Sequence, residues 1–461
     1  MPNGSFWVGR GGFNYKRSGG AGARRNFALG LITNQPADVN NTYVAGAGVG
    51  ASSIATRRAR MLHATVNTPQ YPYNRMFNRL GLQMSGGSND YAYNWYFNDV
   101  WPNPYPVFKG QVQSTPTPEV PKSFCYNINV GNYPKYIAIS GNYAYVANGG
   151  DGTVSVLDIT TQPSSVTTSV TVGTNPNYIA FSGNYAYVTN YGDGTVSVID
   201  ITTPTSIPPI TSVTVGTNPS YIAISGNISG NYAYVTNTGD GPPGTVSVLD
   251  ITTQPSSVIT SVTVGNSPQY IAISGNYAYV TNNGGNTVSV LNITNSPSIS
   301  TTSVTVGNNP NYIAISGNYA YVANGGLGNT VSVIHTTSNT LVNTISVGTG
   351  PIYIAILGNY AYVTNNGDDT VSVLNIITPL SIPTPTSVPV GTNPSYIAIL
   401  GNYAYVANNG GSTVSVLNIT TPLSIPTPTS VTVGTNPNYI AFSGNYAYVT
   451  NYGDGTVSVL C

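Results

Sequence analysis

The chain has 461 residues, with 13 basic and 13 acidic side chains, two cysteines and two histidines, and a formal net charge of zero. Only 6% of residues are charged, against roughly 25–35% on an ordinary soluble surface, so an Asn-, Thr-, Ser- and Gly-rich exterior is expected. No apolar stretch reaches the ~18 residues of a membrane span, and Met1 to Gly20 lacks the apolar centre of a secretory signal.

The zero balance hides a partition. Residues 1 to 135 hold all 13 basic and four acidic residues, a formal +9; the rest hold nine aspartates and no basic residue, a formal −9. Residues 1–70 read as a flexible basic arm, Gly-rich at first, with Arg24 and Arg25 and then the cluster Arg57, Arg58 and Arg60. Ser53 to His63 could form a short basic helix, although two turns are marginal alone. Residues 71–123 form an aromatic-rich extension crowded with Tyr, Trp95, Trp101 and Pro, suited to packing on a ring or a partner. The basic residues have three readings: docking on an acidic protein surface, including another copy's acidic region; a solvated tail; or non-specific contact with nucleic-acid phosphates.

From residue 124 the chain repeats itself. Asn-Tyr-Ala-Tyr-Val-Thr/Ala-Asn begins at Asn142, Asn184, Asn231, Asn276, Asn318, Asn359, Asn402 and Asn445, at intervals of 41 to 47 residues. Each copy carries four short runs rich in Val, Ile, Tyr and Thr. In the first copy they are Tyr136 to Ser140, Tyr143 to Asn148, Thr153 to Leu157 and Ser169 to Val172. Their length and alternation predict strands. Gly141-Asn142 and Gly149 to Gly152 supply the positive φ of tight hairpins. Extra residues at Asn227 to Gly230 and Gly241 to Gly244 fall in predicted turns, where insertion costs little. A repeat of this length with four strands predicts an all-β, eight-bladed β-propeller over residues 124–461.

The last copy stops at Cys461 without a fourth strand, while Phe124 to Val130 is an isolated fourth strand. Together they complete the eighth blade and remove an open sheet edge. Cys125 and Cys461, the only cysteines, then face each other at the seam, which predicts a disulfide; two free buried thiols are the alternative. Closing so long a loop would contribute on the order of 4 to 5 kcal/mol in the chain-entropy picture. A persistent bridge implies an oxidising location.

Chemistry is sparse. Beyond Tyr136 the one histidine, His335, stands where other copies have Asp or Asn, so a hydrogen-bonded turn residue is the simpler reading. No His, Cys or acidic set has metal-ligand spacing, and the periodic aspartates lack the full ligand set of a Ca²⁺ loop. No cofactor, metal or catalytic residue is expected. The first strands are nearly identical, as in Tyr136-Ile-Ala-Ile139 and Tyr178-Ile-Ala-Phe181, leaving little room for an asymmetric active site. Candidate ligand-face aromatics are Tyr143, Tyr185, Tyr232, Tyr277, Tyr319, Tyr360, Tyr403 and Tyr446, once per copy.

The blocks Asn175-Pro176, Tyr178 to Phe181, Tyr187 to Asn190 and Thr195 to Asp200 resemble the YVTN family of propeller repeats, known from cell-surface proteins of archaea and bacteria. The stretch Asn41 to Arg60 is similar to leaders of proteins of giant DNA viruses. These resemblances imply a non-enzymatic structural or surface protein, virion included, held through Arg24, Arg25, Arg57, Arg58 and Arg60 to other surface proteins or to copies of itself. The alternative is a propeller that binds protein or glycan on one face; an enzyme acting at the channel is the third reading.

Overall fold

A computed structural model describes residues 123–461, apart from 209, 228, 229 and 327, together with three short strands near the start. The chain divides into two units, residues 1–117 and 118–461. In the first, Ser5–Trp7 pairs antiparallel with Asn14–Tyr15 and parallel with Arg24–Asn26. The basic cluster Arg57, Arg58 and Arg60 and the aromatic extension 71–123 lie outside the described residues, save for its final Ser123.

The second unit contains eight four-stranded antiparallel sheets, each a simple meander, arranged as the blades of a propeller. In blade 1 the strands are Pro134–Ser140, Tyr143–Asn148, Thr153–Asp158 and Ser165–Thr171. Gly141 turns the first hairpin with φ +56°, a conformation a side chain would resist. The insertion at Asn227 to Gly230 lengthens the corresponding hairpin of blade 3, with Asn227 opposite Gly230.

The fourth strand of blade 1 begins at Ser165, earlier than the expected Ser169. Its outer residues are mostly polar and exposed, Val166 included, so no buried alternation marks them, and a bulge between Val156 and Leu157 shifts the register. In blades 2, 6 and 7, Pro-containing loops shorten this strand to four residues.

Side chains of the two inner hairpin strands interlock between blades. Tyr145, Ala147, Val154 and Val156 of blade 1 pack on Ile179, Ala186, Val188 and Ile199 of blade 2. Eight tyrosines equivalent to Tyr145 are the largest fully buried side chains, one per blade. A buried asparagine closes each second strand: Asn148 Nδ2 donates to Thr153 Oγ1 at 3.0 Å and to Ser155 Oγ at 2.9 Å. A glycine covers each such asparagine. A Cβ on Gly173 would lie 2.6 Å from the amide of fully buried Asn190. Gly173→Ala is therefore expected to lower stability by about 1–3 kcal/mol through overpacking. Equilibrium denaturation checks this; an unchanged midpoint would contradict it.

The ring closes as the repeat count requires. Phe124–Asn129 pairs antiparallel with Thr456–Leu460 as the fourth strand of blade 8. Ile128, Val457, Val459 and Tyr448 of that blade pack on Ile137, Val146 and Leu157 of blade 1, so the seam has the same apolar joint as elsewhere. Cys125 and Cys461 form a disulfide across it, with Cα atoms 6.1 Å apart.

Candidate functional site

The meander gives the ring two faces. One carries the turns between first and second strands, with the loops between third and fourth. The other carries the turns between second and third strands, with the linkers that lead into each blade; it is called the linker face below.

Each linker is pinned to the turn of its own blade. Gly149 N–H donates to Tyr133 O at 2.9 Å and Gly150 N–H to Asn132 O at 2.9 Å, and the pair recurs around the ring. Turn carboxylates add to it. Asp151 accepts from the Asn132 amide N–H at 2.7 Å, and Asp193 accepts from Thr174 N–H at 2.9 Å and Thr195 Oγ1 at 3.0 Å. The aspartates that end third strands serve the opposite face. Asp158 accepts from Thr160 N–H and Oγ1, and these bonds hold its carboxyl below the usual range. His335 contacts Ser338 Oγ through Nδ1 at 3.1 Å and lies edge-on to Tyr319, so the hydrogen-bonded turn reading describes it.

The innermost strands put eight tyrosines into a closed collar around the channel: Tyr136, Tyr178, Tyr221, Tyr270, Tyr312, Tyr353, Tyr396 and Tyr439. Neighbouring ring centroids lie 3.7 to 4.4 Å apart all the way round. Their hydroxyls join in hydrogen bonds: Tyr270 donates to Tyr312 at 3.0 Å, Tyr312 to Tyr353 at 2.7 Å and Tyr439 to Tyr136 at 3.2 Å. Tyr178 and Tyr221 are bonded likewise. Desolvation raises the pKa of every member, and for several the nearby phenols raise it further. Against the collar a cavity of about 550 Å³ is lined by Tyr270, Tyr312, Tyr353 and Tyr396 together with Ala and Ile of the inner strands, with no charged group.

At the channel mouth on the linker face the copies stop being alike. The residue before each collar tyrosine is Lys135, Asn177, Ser220, Gln269, Asn311, Ile352, Ser395 and Asn438 in turn. Asn438 Nδ2 donates to Lys135 O at 2.8 Å, and Asn177 Nδ2 to Ser220 O at 2.8 Å. Lys135 is the only Lys or Arg among residues 123–461. Burial lowers its pKa, its Nζ sits 5.9 Å from the Tyr191 ring centroid, and among the described residues no carboxylate pairs with it.

Three further departures from the repeat gather at the same place. Tyr191 and Tyr452 follow the buried asparagine where the other copies have Gly, Thr or Asn. Tyr133 occupies the linker position that holds Asn, Ser or Gly elsewhere. That position has positive φ throughout, and Tyr133 adopts +56°. Asn and Gly accept this region readily, whereas a bulky aromatic there is strained. Tyr133 is 50% exposed and stacks on Tyr452, with centroids 4.9 Å apart. Blades 8, 1 and 2 thus share a patch of three tyrosines and one lysine on the linker face, with Tyr133 and Tyr452 exposed and Tyr191 and Lys135 partly buried.

The tyrosines singled out from the sequence lie on the opposite face. Tyr143 and its equivalents start the second strands beside the first hairpin and are partly buried, Tyr232 most deeply at 8% exposure. Several pack against the cores between blades. Cys125 and Cys461 are joined at the seam; Arg24 and Arg25 lie on the third N-terminal strand. Among the described residues no group of three or more His, Cys, Asp or Glu could hold a metal ion, and no helix is long and apolar enough to cross a membrane.

Comparison with known proteins corrects the family expectation. Residues 202–311 match the family described as "Lactonase, 7-bladed beta-propeller". Six segments between residues 132 and 457 match the LVIVD repeat. The repeat is therefore related to lactonase and LVIVD propellers and not specifically to YVTN repeats, and nothing found supports a viral leader. Short Tyr, Val and Asn blocks are common to several propeller repeats, so a likeness of blocks did not discriminate between them. No curated protein matches the chain. Among solved structures, the periplasmic gluconolactonase of Pseudomonas aeruginosa is 20% identical, covering 68% of this chain and 98% of its own at a TM-score of 0.51. A putative 6-phosphogluconolactonase from Bacteroides uniformis is 18% identical, with the same coverage and TM-score. Dihydro-heme d1 dehydrogenase NirN is 16% identical, covering 70% and 72% at a TM-score of 0.55. At these identities the shared property is the propeller fold.

Proposed function

We propose that this chain is a non-enzymatic recognition propeller that binds a glycan or a protein segment on the linker face, over blades 8, 1 and 2. The observation that carries the reading is Tyr133. A strained aromatic is kept where seven other copies use Asn, Ser or Gly, and its ring is spent on the surface beside Tyr452. Exposed aromatics with amides beside them suit sugar rings and peptide groups alike, because each offers an apolar surface and hydrogen-bonding edges. None of the eight mouth positions carries a carboxylate or imidazole to pair as acid and base, which favours binding over catalysis.

In this reading the basic residues before the propeller attach the module to an acidic surface, at a cell surface or on a particle, through charge complementarity. The motivation is the +9 against −9 partition of the chain.

Immobilised protein presented to a glycan array and to candidate surface proteins tests the site. Tyr133→Asn and Tyr191→Asn are expected to lose the signal, while Tyr319→Asn on the other face keeps it. Each places Asn where another copy already has it at the first two positions, so folding is not at stake there. Equal binding by wild type and Tyr133→Asn would refute the placement.

A further inference from the structure

We propose that the ligand of the linker-face patch is a sugar carrying a single carboxylate, seated with its ring on the Tyr133–Tyr452 pair and its carboxylate on Lys135. This deepens the recognition reading above and rests on it. Among the described residues Lys135 has no carboxylate partner. Its ammonium lies at the channel mouth, partly withdrawn from water, over the ring of Tyr191. The two nearest acidic turns are already engaged: Asp151 by both amide groups of Asn132, and Asp193 by Thr174 and Thr195. A desolvated cation without a counter-ion is costly unless an anion completes it. The Cε of Lys135 passes beside Gly149, where a Cβ would come within 2.8 Å and push the lysine aside.

The groups around it select the rest of the ligand. The stacked pair Tyr133 and Tyr452 is an exposed aromatic platform next to the lysine's linker, suited to the C–H face of a pyranose. Asn177, Asn438 and Gln269 set carboxamides around the mouth, able to donate to and accept from hydroxyls. Charge limits the ligand in the other direction. One lysine stands among nine aspartates in the propeller, so a polyanion meets net repulsion while one carboxylate can be held locally. The patch is thus matched to a monocarboxylate sugar and mismatched to a polysulfated chain.

Titration calorimetry of the full chain with sialyllactose, lactose and heparin tests this at physiological salt. Sialyllactose is expected to bind about tenfold or more tighter than lactose, the worth of one charge-assisted hydrogen bond, and heparin, held by the basic residues before the propeller, to bind Lys135→Gln as tightly as wild type. Lys135→Gln should bring sialyllactose and lactose within about twofold of each other. Gln occupies the equivalent position in blade 4, at Gln269, so the variant should fold. Equal affinity for both sugars, a preference that survives Lys135→Gln, or binding of neither sugar would overturn the proposal. If the array signal of the recognition reading is still lost in Tyr133→Asn, that reading stands without this ligand.

Discussion

Raising the pH above 10 is expected to unfold the propeller within one to two pH units, as a cooperative transition rather than a gradual titration. The cause is the tyrosine collar. An unfolded tyrosine ionises near 10, while desolvation holds all eight collar phenols above their ordinary value. Buried Tyr145, Tyr279, Tyr321 and Tyr362 are pushed up to about 12. Below pH 10 both states are protonated and the stabilisation is fully present. Above it the unfolded chain releases protons that the folded chain keeps, so stability falls as pH rises towards the folded pKa values. Each such tyrosine removes about 1.4 kcal/mol per pH unit. Eight acting together remove roughly 11 kcal/mol per unit, comparable with the whole stability of an ordinary domain, about 5–15 kcal/mol. Phenolate absorbance near 295 nm should therefore rise together with loss of the near-ultraviolet circular dichroism. Ionisation of the collar with the fold intact would contradict the account.

Reducing the seam disulfide is the second large effect. Cys125 and Cys461 are 336 residues apart, and the bridge fastens the one strand that blade 8 takes from the other end of the propeller. In the chain-entropy treatment its loss costs on the order of 5 kcal/mol, which for a domain of this size lowers the melting temperature by about 10 °C. The damage should start locally. Val130 N–H, which donates to Gly455 O, and the amides of Phe124–Asn129 should exchange with solvent well before those of the central blades. Cys461→Ala should behave like the reduced protein. Exchange that stays uniform around the ring after reduction would show that the apolar seam alone holds blade 8 closed.

The ring itself was legible from the sequence because each element states its own signal. Gly141 marks a hairpin, Tyr143 to Asn148 alternates, and the spare strand at Phe124 matches the missing one after Leu460. The seam disulfide follows from that strand count together with the positions of Cys125 and Cys461. Less visible was the start of the outer strand at Ser165, whose exposed polar residues pair through their backbone and carry no apolar period. The collar was hidden too: Tyr136 is plain in each copy, but nothing local says that eight of its kind meet in one circle.

Tyr143 and its equivalents drew attention because they recur in every copy, yet constant recurrence also suits a residue that packs between blades. Lys135, Tyr133, Tyr191 and Tyr452 are the reverse, departures in one or two copies at positions otherwise filled mostly by small or amide residues. Setting the eight copies side by side at the residue before each linker proline exposes Tyr133 without any coordinates. That its φ is positive, and so strained, comes only from the fold.

The central claim is that Tyr133 is kept for binding at the expense of stability, and one comparison tests it directly: melting temperature and glycan or protein binding measured side by side for wild type and Tyr133→Asn. Asn is the residue that five of the seven other linkers use in this same conformation, at Asn175, Asn218, Asn309, Asn393 and Asn436. Relief of the left-handed strain, about 1 kcal/mol, should leave the melting temperature equal or higher while binding is lost. A variant that melts lower and binds as wild type does would mean that Tyr133 serves the packing of the seam, and the recognition site would have to be sought elsewhere.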